Sequence, residues 1–221
     1  MRIAFLFLML ALLPGIAGAQ WSVRAGYMAG QSDMLDDLFI RQSGPYGMLE
    51  YGFRLKEKRV EFHPGVGYRL APGAENPEGR LNAFLIDFAV AVYPFDFGGD
   101  CNCPTFSKDG ETFKKGFFLA ITPGLALQQF KRTANLPGIP EPTTSTDDQP
   151  SATLGLSAGL DLGLSDRWTL TPQVSYTRYF STTFDTEGVD MTPWTLTDQG
   201  YFGFGVRLTH HSDDRRRRSR R

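Results

Sequence analysis

The chain has 221 residues, 41% of them hydrophobic, a formal net charge of −1 and a mean hydropathy of −0.25. Beyond its N-terminal segment, no stretch of the sequence approaches the roughly 18 consecutive apolar residues of a transmembrane helix, which excludes helical membrane spans. The roughly 200 residues that follow this segment fit one domain.

The N-terminus has the pattern of a secretory signal peptide. Met1 and Arg2 give a positive start, residues 3–13 are apolar, and the small residues 17–19 form a cleavage site before Gln20. The alternative, a transmembrane anchor, is disfavoured because the apolar stretch is too short to cross about 30 Å of hydrocarbon. The sequence therefore predicts a signal peptide at 1–19 and an exported mature chain.

Eight segments of the mature chain alternate between apolar residues and polar or small ones. Successive side chains of a strand point to opposite faces, so each segment would have one apolar and one polar face. The predicted strands are 21–30, 44–55, 60–71, 81–94, 116–130, 152–164, 168–180 and 200–209. The polar faces carry small residues and charges of both signs, a pattern typical of a narrow barrel whose apolar outside meets lipid.

The predicted fold is all-β, an eight-stranded antiparallel transmembrane up-and-down β-barrel over 20–209 in the cell outer membrane. Each segment is near the 9–11 residues that a tilted strand needs to cross a bilayer. Aromatic residues such as Trp21, Tyr68 and Trp168 fall near segment ends, where an interfacial girdle is expected.

The connections between these segments differ in length. Long polar stretches at 31–43, 72–80, 131–151 and 181–199 are expected outside the cell, and 131–151 is expected to be a mobile loop. Residues 95–115 depart from this pattern, because a periplasmic turn should be short.

Three prolines fall inside predicted strands. Pro64, Pro123 and Pro172 occupy matching places in the third, fifth and seventh strands. Proline has no backbone N–H to donate, so we predict that each lies at a bulge or at a locally unpaired position.

The inward faces of the predicted strands carry a balanced set of charges. The predicted lumen network comprises Arg24, Glu50, Arg54, Glu61, His63, Arg69, Asp87, Asp161 and Arg207. Unpaired buried charges cost several kcal/mol, so we expect the four carboxylates to pair with the four arginines. The favoured interpretation is structural; a small gated pore and carboxylate catalysis are the alternatives. No catalytic residue, metal site or cofactor is predicted.

The histidines give little support to a lipid-modifying enzyme. Such an enzyme needs a serine and a histidine together near the outer rim. His63 falls near the periplasmic end of its strand, and no Gly-x-Ser-x-Gly motif occurs. His210 and His211 are expected at a solvated end after the last strand.

Cys101 and Cys103 lie one residue apart in the long 95–115 connection. An exported protein meets an oxidising compartment, which favours a local disulfide. A labile redox pair, a metal site and two free thiols remain as alternatives, although the ligand set for a closed zinc site is incomplete.

The same connection carries a resemblance to a known family. The segment 93–108, YPFDFGGDCNCPTFSK, followed by KKGFF at 114–118, resembles outer-membrane β-barrel proteins of Bacteroidetes-type bacteria. That family is similar to the small outer-membrane barrels and to the PorT-like group. The resemblance implies an outer-membrane location, contact with outer-membrane lipid, and recognition of an aromatic terminal strand by the barrel assembly machinery. Tyr201 to Leu208 fits such a strand, although thirteen further residues follow it.

We therefore expect a non-enzymatic barrel with a structural or surface-interaction role; a small gated solute channel or, less favoured, a lipid-modifying enzyme are the alternatives. The basic tail at 210–221 contains six arginines and is expected in the periplasm. It is either a solvated tail or an anchor to peptidoglycan, inner-leaflet headgroups or an acidic envelope protein. No nucleic-acid partner is expected.

Overall fold

A computed structural model describes most of the predicted barrel. The described residues are 20–31, 40–41, 43–55, 60–70, 79–96, 116–134, 143–165, 167–180, 182–184, 194–196 and 199–211. The predicted signal peptide, the cysteine pair and residues 212–221 of the tail lie outside the described residues.

Eight long strands form one closed sheet. They are β1 (Gln20–Gln31), β2 (Gly44–Arg54), β3 (Val60–Arg69), β4 (Gly79–Val92), β5 (Phe117–Ala134), β6 (Thr143–Leu160), β7 (Trp168–Tyr179) and β8 (Gln199–His211). Each pairs antiparallel with the next along the chain, and β8 pairs with β1 over twelve residue pairs. The predicted eight-stranded antiparallel up-and-down barrel is confirmed.

Short elements accompany the barrel. Ile40–Arg41 pairs in parallel with the start of β4, Leu162–Gly163 continues the pairing of β6 with β7, and Thr182–Phe184 forms a small hairpin with Trp194–Leu196. A single 3-10 turn, Pro94–Asp96, follows β4. Within the described ranges, no helix has the length and apolar character needed to cross a membrane.

The structure corrects several of the predicted boundaries. The stretch 131–151 is largely strand, because β5 runs to Ala134 and β6 begins at Thr143, and the two pair along their whole length. The β-branched threonines of this stretch favour extended backbone once the hairpin has begun lower down. The last strand ends at His211 rather than at 209, so His210 and His211 belong to β8.

The barrel is apolar outside and polar inside. Large apolar side chains of the strands are exposed on the outside: Leu125 is 59% exposed, Leu156 59% and Phe204 61%. Charged and polar side chains such as Arg69, Gln128 and Thr171 are fully buried within the lumen. A soluble protein has a polar outside and an apolar inside. The opposite arrangement found here is what a barrel immersed in a bilayer requires.

A circuit along the ladders gives the stagger of the barrel. Starting at Ser22, the residues that lie opposite one another in turn are Glu50, Gly65, Asp87, Gly124, Thr153, Tyr179 and Gln199. Gln199 is one register step beyond the pair of Gln31 and Gly200, which gives a stagger of ten residues around the barrel. A barrel of eight strands has an interior just wide enough for side chains to fill.

Each in-strand proline lies at a gap in one ladder. The pairing of β2 with β3 skips Pro64 between the pairs Glu50–Gly65 and Phe53–Phe62. The same gap occurs at Pro123 between β4 and β5 and at Pro172 between β6 and β7. The register is unchanged across every gap. The prolines therefore lie at locally unpaired positions, and the alternative of a bulge is wrong.

Glycine positions on the two faces of the barrel should differ sharply in their tolerance of a side chain. A Cβ at Gly26, which faces inward, would lie 2.6 Å from the Gly205 Cα and 2.8 Å from the Tyr46 ring, whereas a Cβ at Gly47 meets nothing within 4 Å. We expect Gly26→Ala to lower the free energy of unfolding by about 1–3 kcal/mol through overpacking. Gly47→Ala is the matched control and should change it by less than about 0.5 kcal/mol. Urea titration in lipid vesicles measures both, and equal values would contradict the tight packing at Gly26.

A charged lumen as the candidate functional site

The nine predicted lumen residues come from five strands and the end of a sixth. Arg24 is on β1, Glu50 and Arg54 on β2, Glu61, His63 and Arg69 on β3, Asp87 on β4 and Arg207 on β8, while Asp161 directly follows β6. Strand alternation turns all of them inward. Their contacts divide them into a lower layer near the chain termini, a middle layer and an upper layer near the opposite end.

The lower layer begins with an ion pair across one hairpin. Arg54 Nε donates to Glu61 Oε1 at 2.8 Å, and Arg54 Nη2 contacts the same oxygen. The Arg54 side chain is 35% exposed and that of Glu61 10% exposed. The pair therefore lies where the lumen opens toward the end that carries the termini.

Tyr93 joins this pair to a second one. Its hydroxyl lies 2.6 Å from Asp161 Oδ2 and 3.2 Å from Glu61 Oε2. A phenol has one proton, so the shorter contact marks Asp161 as its acceptor. Asp161 also accepts from the Thr171 hydroxyl at 2.6 Å and lies 3.6 Å from Arg207 Nη2. One tyrosine thus links β3, β4 and the β6–β7 turn through two carboxylates.

Arg24 forms the middle layer with two carboxylates. Its Nη2 lies 2.9 Å from Glu50 Oε1 and 3.7 Å from Asp87 Oδ2, and the Ser22 hydroxyl donates to Glu50 at 3.4 Å. The side chains of Arg24 and Glu50 are nearly inaccessible to solvent. When both charges of an ion pair are buried, removing one of them is costly, because the other charge remains buried without a partner.

Arg69 in the upper layer corrects the predicted pairing. Its guanidinium lies 3.9 Å from the Tyr201 ring centroid and 5.3 Å from that of Tyr179. Among the described residues, no carboxylate lies within ion-pair distance of Arg69, so the prediction that it pairs with one is wrong. Strand stagger places Arg69 near the upper ends of β7 and β8, and those ends supply aromatic faces, which attract a cation electrostatically.

Sequence reasoning missed the aromatic part of this site. Tyr93, Tyr179 and Tyr201 are almost completely buried in the lumen. All three have the inward phase of their strands, which is visible in the sequence. Counting inward aromatic residues as well as inward charges would have found them.

His63 is only 3% exposed but makes no catalytic arrangement with the described residues. Its Nε2 lies 3.5 Å from Glu61 Oε2, and neither ring nitrogen has a hydrogen-bond partner among the residues that the structure describes. At the lower rim, His211 contacts the Thr169 hydroxyl at 2.7 Å, and the His210 ring meets Trp168 at 4.8 Å. No group of three or more His, Cys, Asp and Glu side chains within the described part of the chain is placed to hold a metal ion.

No family model and no curated protein matches this chain. Its fold is similar to that of Neisserial surface protein A, at 15% identity and a TM-score of 0.49 over 86% of this chain and 96% of that one. It is also similar to a major outer membrane protein from Thermus thermophilus (11%, TM-score 0.44, 86% and 99% covered). Ail, the attachment invasion locus protein of Yersinia pestis, is a further similar structure (9%, TM-score 0.42, 86% and 98% covered).

These similarities concern the fold and assign no role to any residue. The architecture itself stands on the closed ladder, the apolar exterior and the polar lumen. Closed barrels leave no unpaired sheet edge in lipid, which is why bacterial outer membranes use them. The protein is a small outer-membrane β-barrel, and the predicted location in the cell outer membrane is confirmed.

Removing a carboxylate from the lower layer should destabilise the barrel strongly. Asp161→Ala leaves Arg207 without its ion-pair partner, the Thr171 hydroxyl without its acceptor, and the Tyr93 hydroxyl with only its longer contact to Glu61. We expect a loss of about 3–5 kcal/mol in the free energy of unfolding. Asp148→Ala, at an exposed position of β6, is the control and should cost less than about 0.5 kcal/mol. Similar small losses for both variants would mean that water already screens the lower layer.

Replacing Arg69 by an apolar residue should not cause the large loss of stability that is expected for Asp161→Ala. Arg69→Met removes a buried charge that has aromatic faces but no described carboxylate, and volume-conserving swaps in cores usually cost less than about 1.5 kcal/mol. We expect the free energy of unfolding to stay within that range or to rise. Arg207→Met, which strips Asp161 of its cation, is the matched control and should cost about 3–5 kcal/mol. A loss of that size for Arg69→Met would contradict this account of the upper layer.

Proposed function

We propose that the protein is a non-enzymatic outer-membrane barrel with a structural or surface-interaction role. The observation that carries the proposal is the closure of its lumen by side chains in successive layers. In the upper layer, Arg69 and Tyr201 are 0% exposed and Tyr179 is 1% exposed. At the lower end, Tyr93 is 0% exposed and Phe118 is 1% exposed.

This closure argues against the small gated solute channel. A conducting barrel keeps a polar, water-lined path through its whole length. Here apolar and aromatic side chains pack across the lumen near both ends. The upper cluster includes Met28, Tyr46, Met48 and Leu85, and the lower one consists of Ala91, Tyr93, Phe118 and Ala120. The charged middle layer lies between the two clusters.

The β5–β6 hairpin supports a role at the cell surface. Its ladder extends from Phe117–Leu160 to Ala134–Thr143, whereas the β6–β7 ladder stops at Thr153–Tyr179. The hairpin therefore rises above β7 at the end opposite the chain termini. A paired hairpin offers a partner a more ordered surface than a mobile loop, which reduces the entropy lost on binding.

The finer family assignment and the remaining partners belong to this proposal. Membership of the Bacteroidetes-type, PorT-like group is supported by the resemblance of the sequence segments 93–108 and 114–118. The proposed partners are the barrel assembly machinery and, through the arginine-rich tail, peptidoglycan or an acidic envelope protein. The tail follows His211, which lies opposite Gln20 at the end of the barrel that carries both termini.

The proposal predicts that the inserted barrel does not conduct ions. In planar bilayers we expect no steady single-channel openings from the wild-type protein, because its lumen is closed near both ends. A heat-modifiable gel shift of the same sample confirms that the barrel is folded. A double variant, Arg69→Ala with Tyr93→Ala, removes large side chains from both closures and should increase conductance. Steady wild-type openings that change with Arg54→Ala or Asp87→Ala would instead favour the channel.

A further inference from the structure

A row of aromatic rings lies on the lipid-facing side of the barrel at its lower end. The register places Trp21 of β1 opposite His210 of β8, and His210 opposite Trp168 of β7. On the other side of β1, Trp21 lies opposite Tyr51 of β2. The ring centroids of Trp21 and Tyr51 are 5.0 Å apart, and those of Trp168 and His210 are 4.8 Å apart. His210 therefore lies between two tryptophans on the outside of the barrel.

This row lies at the edge of the apolar exterior. The next outward positions toward the upper end are occupied by apolar residues, Val23, Leu208 and Leu170. β7 begins at Trp168, and β8 ends one residue after His210. Tryptophan is enriched where hydrocarbon meets the lipid headgroups. The short β2–β3 connection, 55–59, lies at the same end and marks it as the periplasmic side, so these headgroups belong to the periplasmic leaflet.

His210 is the histidine that faces the lipid. The chain contains three histidines. His63 is buried in the lumen, and His211 has the inward phase of β8, with its Nε2 2.7 Å from the Thr169 hydroxyl. Histidine is the side chain that ordinarily changes its charge between about pH 5 and pH 8. Protonation of His210 would thus place a positive charge at the level of the headgroups.

The surroundings of His210 supply aromatic rings for such a charge. On β1 the facing side chain is Trp21, with Tyr51 beyond it on β2, and on β7 it is Trp168, preceded by the exposed Arg167. An aromatic ring attracts a cation that lies within about 6 Å of its centroid. Trp168 is therefore close enough to stabilise the protonated imidazole.

The described residues supply no anion for His210. Their carboxylates lie either in the lumen or on the upper part of the β5–β6 hairpin, and they are Glu50, Glu61, Asp87, Asp161, Asp147 and Asp148. None of these six groups faces His210. A phosphate group at the depth of this row would accept a hydrogen bond from the protonated imidazole, and hydrogen bonds between charged groups are the stronger ones.

We propose that Trp21, His210 and Trp168 form a binding site for the headgroup of an anionic phospholipid in the periplasmic leaflet. Protonated His210 donates to the lipid phosphate, and the two indoles flank the imidazole. The acyl chains lie against the apolar row above, which includes Val23 and Leu208. The site lies outside the lumen and does not depend on the proposed function.

Tryptophan fluorescence of the full-length barrel in lipid vesicles tests the site. The chain has three tryptophans, and Trp194→Phe leaves Trp21 and Trp168 as the reporters. Brominated phosphatidylglycerol quenches a tryptophan that it contacts, and its competition with unbrominated phosphatidylcholine gives a relative binding constant. One cation near an anionic surface contributes roughly fivefold, so this constant should rise about fivefold from about pH 8 to about pH 5. Brominated phosphatidylcholine should show no such rise.

Matched variants assign the effect to one imidazole. His210→Gln should abolish the rise, whereas His211→Gln, at the neighbouring position on the opposite face, should keep it. The arginines of the tail remain charged at both pH values and therefore contribute equally to both measurements. Inorganic phosphate should not compete, because it has no acyl chains to contact the apolar row.

A heat-modifiable gel shift shows that each variant is folded. The proposal would be overturned by a wild-type barrel whose preference for phosphatidylglycerol is the same at both pH values. A rise that persists in folded His210→Gln would overturn it as well, as would an equal rise with brominated phosphatidylcholine or full competition by inorganic phosphate.

Discussion

The need to satisfy every backbone hydrogen bond within lipid determines the rest of this structure. Hydrocarbon offers no donors or acceptors, so each strand needs a neighbour on both sides, and only closure of β8 onto β1 provides the last one. Closure with eight strands fixes a narrow interior. The narrow interior limits the size of the side chains that the lumen can hold. Small residues therefore recur along the inward faces of the strands.

At each of the three prolines, one of the two backbone hydrogen-bond ladders is locally interrupted. Each falls on the second strand of a hairpin joined at the lower end, and each interrupts only the ladder within its own hairpin. Pro64, Pro123 and Pro172 remain opposite Phe88, Leu154 and Val206 on the other side. A residue with no N–H is accommodated without a shift of register, so the alternation between lipid and lumen faces continues across every gap.

Two kinds of contact fill the lumen: ion pairs between charged side chains and packing of aromatic rings. The lower and middle layers contain carboxylates and arginines that form ion pairs, and the Tyr93 hydroxyl contacts two of the carboxylates, Glu61 on β3 and Asp161 in the β6–β7 turn. The upper layer surrounds Arg69 with tyrosine rings and uses no described carboxylate. A lumen filled in this way stabilises the barrel from the inside.

The alternation of residues by itself determined the number of strands, the face of every inward charge and the apolar exterior, because a period of two is a local property of extended backbone. The partners within the lumen depended on the tertiary structure. Arg69 and Glu61 are eight residues apart on one strand, yet the stagger brings one to tyrosines of β7 and β8 and the other to Arg54 and Tyr93. The strand character of 131–134 and 143–151 was likewise invisible locally, because polar threonines form strand only when a ladder already begun by β5 and β6 continues through them.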